Sequence, residues 1–325
     1  MLSTLVAHLQ ESIGILHKQD IQIAASTLAL DKFKTQDKSK TRLGDDCAAI
    51  PDGEGYLLLA SEGMMPFFVD RDPWFAGWSA VMVNVSDVYA MGGCPIAVVD
   101  TLWSQSIEQS QQLWAGMNAA AEAYNVPIVG GHTNCHSPYN ALSVSILGRA
   151  KRLITSFDAQ PGQQLLMAID LNGQMHSEYA FWNTATKADS VQLQKNLALL
   201  PYIAETELCN VGKDISMGGV IGTTLMLLET SGCGAVLNLD AIPCPAGIPI
   251  ETWLTAFPSY GFLLSVDPDR VATVQSTFRE QSIVCEAIGE VNSTSELRLR
   301  SQQESVCFWD LKKRSLTGFT SAASV

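Results

Sequence analysis

The stretch that most constrains this chain runs from Val81 to Pro95 and reads VMVNVSDVYAMGGCP. Its valines and Met91 recur at the three- and four-residue spacing of one helix face, which predicts a buried helix. On that helix Asn84 and Asp87 share a face with Met91, so a carboxylate lies beside an amide. The Gly–Gly pair that follows is suited to end the helix, because glycine takes the left-handed conformation without a steric penalty. Taken alone, the aspartate is most simply a capping or solvated residue.

Four other acidic or glycine-rich motifs punctuate the chain, each close to an apolar run. They are LGDDC with Asp45 and Asp46, SEG with Glu62, GGHT with Gly130, Gly131 and His132, and GKDISMGG with Asp214, Ser216, Gly218 and Gly219. Neighbouring carboxylates repel each other unless a cation lies between them, and hard oxygen ligands of this kind suit magnesium. Paired glycines let backbone N–H groups approach an anion closely. The last motif precedes an apolar helix, whose N-terminus favours phosphate.

Each motif also has a plainer interpretation. His132 alone after two glycines is more often a structural hydrogen-bonding residue than a ligand, and Asp214 or Ser216 could simply cap the helix. His17 and Lys18 could reach a phosphate, although a solvated helix face is the commoner outcome. A shared site is favoured because the carboxylates come from both halves of the chain. Such a set suggests metal–phosphate chemistry in a cleft between domains.

Apolar periodicity places the motifs on ordinary elements. Strands are predicted at 48–51, 56–60, 95–102, 126–129, 141–150 and 165–169, and helices at 1–34, 107–124, 192–209, 220–230 and 267–279. Residues 67–77 are predicted to form a loop before the central helix. The chain turns polar at 156–163, which predicts two domains, residues 1–156 and 157–325.

Composition and charge narrow the classes of partner. The formal net charge of −13 argues against a nucleic-acid or anionic-membrane partner, which needs a basic surface. Nucleotides remain possible ligands, because a divalent metal can bridge carboxylates to phosphates. No apolar run approaches the roughly 18 residues of a membrane span, and the N-terminus does not resemble a signal peptide. The eight cysteines are spread singly without a C-x-x-C spacing, which indicates thiols in a reducing cytoplasm rather than zinc ligands.

In this order, the motifs GDDCAAI, ASEGM, NVSDVYAMGG, GGHT and DISMGG resemble the ATP-binding superfamily of aminoimidazole ribonucleotide (AIR) synthetase. That superfamily also holds selenophosphate synthetase, thiamine-monophosphate kinase and a hydrogenase-maturation protein. The resemblance runs from about Leu43 to Val291, and the chain looks like the AIR-synthase-related branch of cyanobacteria and other bacteria. It implies a two-domain α+β, AIR-synthase-like fold. The N-terminal α+β domain would pair its strands across a homodimer to form a β-barrel, and the C-terminal domain would be an α/β sandwich.

The resemblance also implies roles for the motif residues. Asp46, Asp87 and Asp214 would hold Mg²⁺ on the phosphates of ATP, with Asp87 and Asp214 as the catalytic pair. Further contacts with the nucleotide would come from Asp45, Gly130, Gly131, His132, Ser216, Gly218 and Gly219. Glu62 would contact the nucleotide or a second metal ion. The implied activity is Mg-ATP-dependent: the phosphoryl group of ATP is transferred to, or activates, an oxygen of a small-molecule acceptor.

The chain departs from the family pattern at several positions. Glu62 stands where the family usually has Asp, and its extra methylene moves the carboxylate by about 1 Å. Met217 stands where the kinase branch has an acidic residue, which leaves the number of metal ions open. No reactive Cys–Lys pair precedes LGDDC, and Cys47 is the first cysteine, which argues against selenophosphate synthesis. These departures leave a second hypothesis open, an ATP-binding regulatory or partner protein without turnover.

Overall fold

A computed structural model describes residues 2–28 and 41–320. In chain order its helices are α1 Leu2–Gln10, α2 Ile13–Leu16, α3 Ile21–Thr27, α4 Pro66–Arg71, α5 Pro73–Ala90, α6 Ile107–Tyr124, α7 Ser190–Leu197, α8 Leu199–Glu205, α9 Gly219–Ser231, α10 Ile250–Trp253 and α11 Val271–Arg279. Its strands are β1 Ala48–Asp52, β2 Gly55–Gly63, β3 Cys94–Trp103, β4 Ile128–Asn134, β5 Ala141–Ala150, β6 Gln164–Ile169, β7 Gln174–Met175, β8 Phe181–Asn183, β9 Gly212–Asp214, β10 Gly234–Asn238, β11 Phe257–Pro258, β12 Gly261–Val266, β13 Val284–Asn292, β14 Glu296–Ser301 and β15 Glu304–Asp310.

The chain packs into two compact units. Unit 1 consists of Met1–Asp45, Ile154–Thr184 and Ile203–Val325, and unit 2 consists of Asp46–Leu153 and Ala185–Tyr202. These bounds differ from the predicted domains 1–156 and 157–325, because the N-terminal helices pack with the C-terminal strands. The backbone N–H of Leu2, for example, donates to the carboxylate of Glu304 at 3.2 Å. The domain boundary itself stays a prediction.

Unit 2 is built on a five-stranded sheet in the order β1-β2-β5-β3-β4. The pairs β1–β2, β2–β5 and β3–β5 are antiparallel and the pair β3–β4 is parallel. The predicted hairpin around Asp52 and Gly53 is confirmed, with Gly53 at a φ of 62°. Among the described residues the sheet stays open and does not close into a barrel.

The central helix of unit 2, α5, is longer than the sequence predicts. Its chain is buried from Phe75 to Ala90. The predicted loop at 67–77 is wrong: α4 occupies its first part and α5 begins at Pro73. A proline suits the first turn because it lacks the N–H that would go unbonded there, and the side chain of Asp72 caps the helix by accepting from the N–H of Phe75 at 3.3 Å. The aromatic side chains of Phe75 and Trp78 on this helix are buried in the core.

One face of the unit 2 sheet is apolar and exposed. Leu59 pairs with Leu147, and Leu147 pairs with Ala97 of β3. Directly opposed residues, and residues two apart on one strand, point to the same side of a sheet, so Ile50 and Val99 share this face in the neighbouring rows. The exposed fractions are 48% for Leu59, 38% for Leu147, 42% for Val99 and 40% for Ile50. A group of exposed apolar side chains on one sheet face marks an interaction surface more often than a solvated face.

Unit 1 contains a seven-stranded sheet in the order β15-β14-β10-β13-β6-β12-β9 and a small sheet in the order β11-β8-β7. Its central strands β6 and β12 are buried along nearly their whole length, and α9 is buried throughout most of its turns. The apolar run after GKDISMGG becomes α9 as predicted and ends at Gly232, whose φ is 71°. This helix and strand β9 together position the last motif.

The bounds of three predicted helices differ from those in the structure. The helix predicted at 192–209 is two helices, α7 and α8, which meet at Ala198 rather than breaking at Pro201. The helix predicted at 267–279 begins at Val271, because residues 267–270 form a turn. The N-terminal helical prediction holds as the short helices α1 to α3, and residues 29–40 lie outside the described ranges. In the part of the chain that the structure covers, no helix is long and apolar enough to cross a membrane.

Candidate functional site

Two of the predicted metal ligands meet in unit 2. Asp46 lies just before β1 and is half-buried, and Asp87 lies on α5 and is 7% exposed. One carboxylate oxygen of each residue lies within 4.8 Å of the other. Two carboxylates this close repel each other strongly when both are ionised, unless a cation lies between them. The pair is thus a candidate site for a divalent cation.

A third oxygen on the same helix supports this assignment. Asn84 lies one turn before Asp87 and is fully buried. Its amide nitrogen donates to the carbonyl of Ala80 at 2.8 Å, whereas its Oδ1 accepts no hydrogen bond from the described residues. An unsatisfied buried acceptor is costly and calls for an explanation. Because magnesium prefers carboxylate and carbonyl oxygens, these residues fit that ion.

Asp45 directs its side chain into unit 1. Its Oδ1 lies 3.4 Å from the Nζ of Lys213, and its Oδ2 accepts from the N–H of Ser156 at 2.9 Å. The side chains of both ion-pair partners are buried, at 1% and 3% exposure. A buried ion pair with this geometry fixes the loop before Asp46 and the strand that carries Asp214. The predicted contact of Asp45 with a nucleotide stays a prediction.

The DISMGG motif forms a tight turn in unit 1. Asp214 is buried at the end of β9, where it pairs with Phe262 of β12. Thr223 of α9 stabilises the turn, because its hydroxyl accepts from the N–H of Ser216 and donates to the carbonyl of Asp214, both at 3.3 Å. The N–H of Gly219 donates to the carbonyl of Ser216 at 2.9 Å. That amide is therefore used inside the turn and does not point to an anion.

The GGHT motif lies within a strand of unit 2. The prediction that the strand stops at Val129 is wrong, because β4 continues through the glycines to Asn134. In the parallel ladder Gly130 pairs with Val99 and Gly131 with Asp100. The glycines thus belong to an exposed edge strand rather than to a loop. The predicted contact of these residues with a nucleotide stays a prediction.

His132 and Glu62 are exposed residues of the unit 2 sheet. The ring of His132 lies 5.5 Å from that of Trp103, measured between centroids. Glu62 is exposed near the end of β2, opposite Val144. The hydroxyl of Ser143 donates to the backbone carbonyl of Glu62 at 3.0 Å. Both side chains therefore stay at the surface of this unit.

Asp100 is a buried carboxylate that the sequence motifs do not contain. It is 4% exposed, and neither of its oxygens has a hydrogen-bond partner among residues 2–28 and 41–320. Burial raises its pKa above the ordinary value, and the nearby His132 opposes that shift. The signal that could have revealed it is its place between Val98 and Leu102, two inward positions of an alternating strand.

Asn84, Lys213 and Thr223 are further residues for which the sequence motifs predict no role. For Asn84 the sequence predicts only that it shares a helix face with Asp87. Lys213 and Thr223 give no signal of their own, since a lysine before an aspartate and a threonine in an apolar helix are common. Their contacts depend on the fold of unit 1.

Family comparisons agree with this arrangement of motifs. A family model described as AIR synthase related protein, N-terminal domain, matches residues 44–150, and the corresponding C-terminal domain matches residues 161–302. The chain therefore belongs to the AIR synthase related family, and the predicted AIR-synthase-like fold is confirmed. The homodimeric barrel is a finer prediction that these matches leave open.

Individual relatives span nearly the whole chain. An uncharacterised protein of Synechocystis sp. is 57% identical over 321 residues, which cover 98% of this chain and 99% of the relative. The thiamine-monophosphate kinase of Buchnera aphidicola is 24% identical over 304 residues, which cover 84% of this chain and 92% of the kinase. A protein named as a kinase is thus among the proteins that this chain resembles over most of its length.

Solved structures share the fold. AaThiL complexed with AMPPCP and TMP matches with a TM-score of 0.64 and 22% identity, covering 85% of this chain and 93% of that chain. T. maritima PurL complexed with ATP matches with a TM-score of 0.69 and 17% identity, covering 94% of this chain and 53% of PurL. At these identities the comparison establishes the fold of this chain and no more.

Proposed function

We propose that the protein is a Mg-ATP-dependent enzyme that transfers the phosphoryl group of ATP to, or uses it to activate, an oxygen of a small-molecule acceptor. The observation that carries this proposal is the Asp46–Asp87 pair, with carboxylate oxygens within 4.8 Å of each other. The buried Oδ1 of Asn84, one turn earlier on the same helix and without a hydrogen bond from the described residues, would be a third hard ligand. Relatives named as kinases and a structure of the same fold complexed with ATP support the choice of nucleotide.

Asp46, Asp87 and Asp214 would hold magnesium in this proposal. The ion would neutralise the charge of the triphosphate and of the phosphoryl group during transfer. Asp87 and Asp214 remain the proposed catalytic carboxylates. The remaining nucleotide contacts would come from Glu62, Gly130, Gly131, His132, Ser216, Gly218 and Gly219. Asp45 would act through its ion pair with Lys213, which fixes the strand leading to Asp214.

Turnover is tested by measuring ADP release from Mg-ATP in a screen of small-molecule acceptors. The expected result is slow release that at least one acceptor stimulates, and that Asp87→Asn abolishes because a carboxylate charge at the metal is lost. The matched control is Asp189→Asn, at the exposed N-terminus of α7, where Asp189 caps the helix by accepting from Gln192. ADP release that survives in Asp87→Asn would refute the proposed role of that residue.

A second candidate function is an ATP-binding regulatory or partner protein without turnover. Two departures from the family pattern favour it. Glu62 stands where the family usually has the shorter Asp, and Met217 stands where the kinase branch has a carboxylate. The two candidates are separated by the same screen. Tight binding of Mg-ATP with no ADP release under any condition would support the regulatory role.

We also propose that the protein is a homodimer in the cytoplasm. Support comes from the exposed apolar side chains of Ile50, Leu59, Val99 and Leu147, which share one face of the unit 2 sheet. A second copy of the chain is the occupant that a self-complementary face favours, because a two-fold interface buries the same residues of both copies. Leu147→Asp is expected to convert the dimer to a monomer in light scattering. A wild-type chain that is monomeric at high concentration would contradict this proposal.

A further inference from the structure

The C-terminal segment, residues 315–319, ends against the glycine that precedes the first acidic motif. A Cβ atom on Gly44 would lie 2.6 Å from the Cβ of Phe319 and 2.7 Å from its Cγ, so the phenylalanine side chain lies directly on this glycine. Gly44 also has a φ of 104°, a conformation that favours glycine. The next two residues are Asp45 and Asp46, and Asp46 is a proposed metal ligand. The contact therefore bears on the loop that carries this carboxylate.

The loop that carries Asp46 needs support from side chains. Residues 43–47 lie just before β1 and belong to no helix or strand. Contacts made by side chains therefore decide where such a loop lies and how far it moves. Asp45 supplies contacts of this kind, through Lys213 and the N–H of Ser156. Phe319 supplies another at the preceding residue, so the backbone that leads into Asp46 is fixed at two successive positions.

A buried carboxylate of α9 anchors the C-terminal segment. Glu229 is 3% exposed, and its Oε1 accepts from the hydroxyl of Ser315 at 2.5 Å and from the N–H of Leu316 at 2.7 Å. Its Oε2 accepts from the N–H and the hydroxyl of Thr317, at 2.7 and 2.6 Å. The hydroxyl of Thr317 accepts in turn from the N–H of Phe319 at 3.3 Å. Because hydrogen bonds to a charged acceptor are strong, this carboxylate holds the segment as far as the phenylalanine.

The start of the same segment holds the N-terminal helices. Gln22 of α3 donates to two backbone carbonyls there, at 3.1 and 3.0 Å. Lys18, in the turn between α2 and α3, is only 8% exposed, and its Nζ donates to the hydroxyl of Ser216 at 3.4 Å. The predicted solvated helix face is therefore wrong for Lys18. Since these contacts do not involve Phe319, a substitution of that residue should leave them in place.

We propose that Phe319 is a positioning residue of the metal site: it fixes Gly44, and through the backbone that follows it fixes the direction of the Asp46 side chain. Glu229 is a second positioning residue, because it holds the segment that carries Phe319. Both act through Asp46 and not by contact with the ion. This inference rests on the proposed function, since it presupposes a magnesium ion at Asp46. Loss of a contact behind a metal ligand typically weakens metal binding by about ten- to a hundredfold.

The test is calorimetry of ATP binding to the full-length chain at a series of magnesium concentrations. The quantity compared is the magnesium concentration that gives half-maximal binding. Phe319→Ala removes the contact with Gly44 and leaves the hydrogen bonds of Glu229 in place. We expect it to raise that concentration by about tenfold, because a less firmly held loop directs Asp46 less well. Phe319→Tyr keeps the ring and should behave as the wild type.

Phe257→Ala is the matched control, because the chemical change is the same and both phenylalanines are half-buried in unit 1. The ring of Phe257 packs against that of Phe181, with 5.6 Å between the centroids. This variant should lose some stability and keep the magnesium requirement of the wild type. A magnesium requirement that Phe319→Ala leaves unchanged, or that Phe257→Ala raises as much, would overturn the proposal.

Glu229→Gln tests whether the two positioning residues act by one route. It preserves the shape of the side chain, removes its charge and should also raise the magnesium requirement. Adding Phe319→Ala should then raise it little further, because the segment is already loosened. Effects that multiply in the double variant would contradict the shared route. If Glu229→Gln does not fold, Thr317→Val makes the same comparison, since it removes only the hydroxyl that joins Glu229 to Phe319.

Failure of the proposed function is recognised separately, by amide hydrogen exchange without any ligand. The peptide that contains residues 43–47 should exchange faster in Phe319→Ala than in the wild type, and Phe257→Ala should leave it unchanged. If the wild type binds no Mg-ATP while this difference is seen, the support of the loop stands and the proposed function fails. Exchange of this peptide that is the same in Phe319→Ala and the wild type would overturn the positioning role itself.

Discussion

Gly130–Gly131 lies in an exposed edge strand of unit 2, whereas Gly218–Gly219 forms the buried start of α9 in unit 1. Gly218 and Gly219 have φ angles of 94° and 61°, and in the described backbone neither Gly130 nor Gly131 has a positive φ. Both pairs looked like anion-binding loops in the sequence. Only the second pair needs glycine for its backbone conformation, so a glycine pair alone does not define a phosphate site.

The largest difference between the pairs is expected at Gly219. A Cβ there would lie 2.4 Å from the carbonyl oxygen of Leu254, and the positive φ is strained for any other residue. Gly219→Ala should lower the free energy of unfolding by about 3 kcal/mol, because backbone strain and a backbone clash combine. Urea denaturation measures the loss. A variant as stable as the wild type would show that this helix start is not rigid.

Gly131→Ala should have a smaller effect of a different origin. A Cβ at Gly131 would lie 2.1 Å from Oδ2 of Asp100 and 2.7 Å from its backbone carbonyl oxygen. We expect a loss of about 2 kcal/mol, typical of an overpacked position. Asp100→Ala in the same chain should recover part of it, since the carboxylate is the nearest obstacle. Strict additivity of the two substitutions in urea denaturation would contradict this contact.

Asp100 itself should make stability depend on pH. Burial raises its pKa, so the folded chain holds that proton more tightly than the unfolded chain. Wild-type stability is therefore lost as the pH rises from the ordinary aspartate value of 3.8 through the raised value. Asp100→Asn should match the wild-type thermal midpoint near the acidic end of this window and exceed it at neutral pH. A midpoint of Asp100→Asn at neutral pH below that of the wild type would indicate that the ionised carboxylate of Asp100 stabilises the folded chain.

Gly130→Ala should have the smallest effect. The nearest atom to a Cβ there is Cγ1 of Val99, at 4.0 Å, and the backbone is extended. The free energy of unfolding should change by no more than about 0.5 kcal/mol, as at an ordinary surface position. Mg-ATP affinity, measured on the same variant, sharpens the comparison. A strong loss of affinity without a loss of stability would place the nucleotide directly against this strand.

Local signals in the sequence predict much of the fold. The helix at 107–124 and the strand at 141–150 match the structure residue for residue. Capping residues mark the ends of the helix, and alternating apolar residues mark the strand. The beginning of α5 was missed because Phe67 to Gly77 is aromatic and contains prolines, which looks like a loop until Asp72 is seen to cap the helix. The extent of β4 was missed because glycines usually end a strand.

At the candidate site, too, some side-chain positions can be predicted from the sequence and others cannot. The family resemblance predicts that Asp46 and Asp87 hold one ion, and in unit 2 one carboxylate oxygen of each residue lies within 4.8 Å of the other. The ion pair between Asp45 and Lys213 and the burial of Lys18 were not predictable, because they join segments that are 168 and 198 residues apart. Such contacts depend on how the N-terminal helices and β9 pack in unit 1, which no local pattern encodes.

The central claim is that Asp46 and Asp87 share one divalent ion that a nucleotide completes. Calorimetric titration of ATP into the wild type and into Asp87→Asn, each with magnesium and with excess chelator, tests it most directly. The account predicts binding to the wild type only when magnesium is present, and none to Asp87→Asn, whose shape is preserved while its charge is lost. Binding of ATP that is equally strong without magnesium, or equally strong in Asp87→Asn, would contradict it.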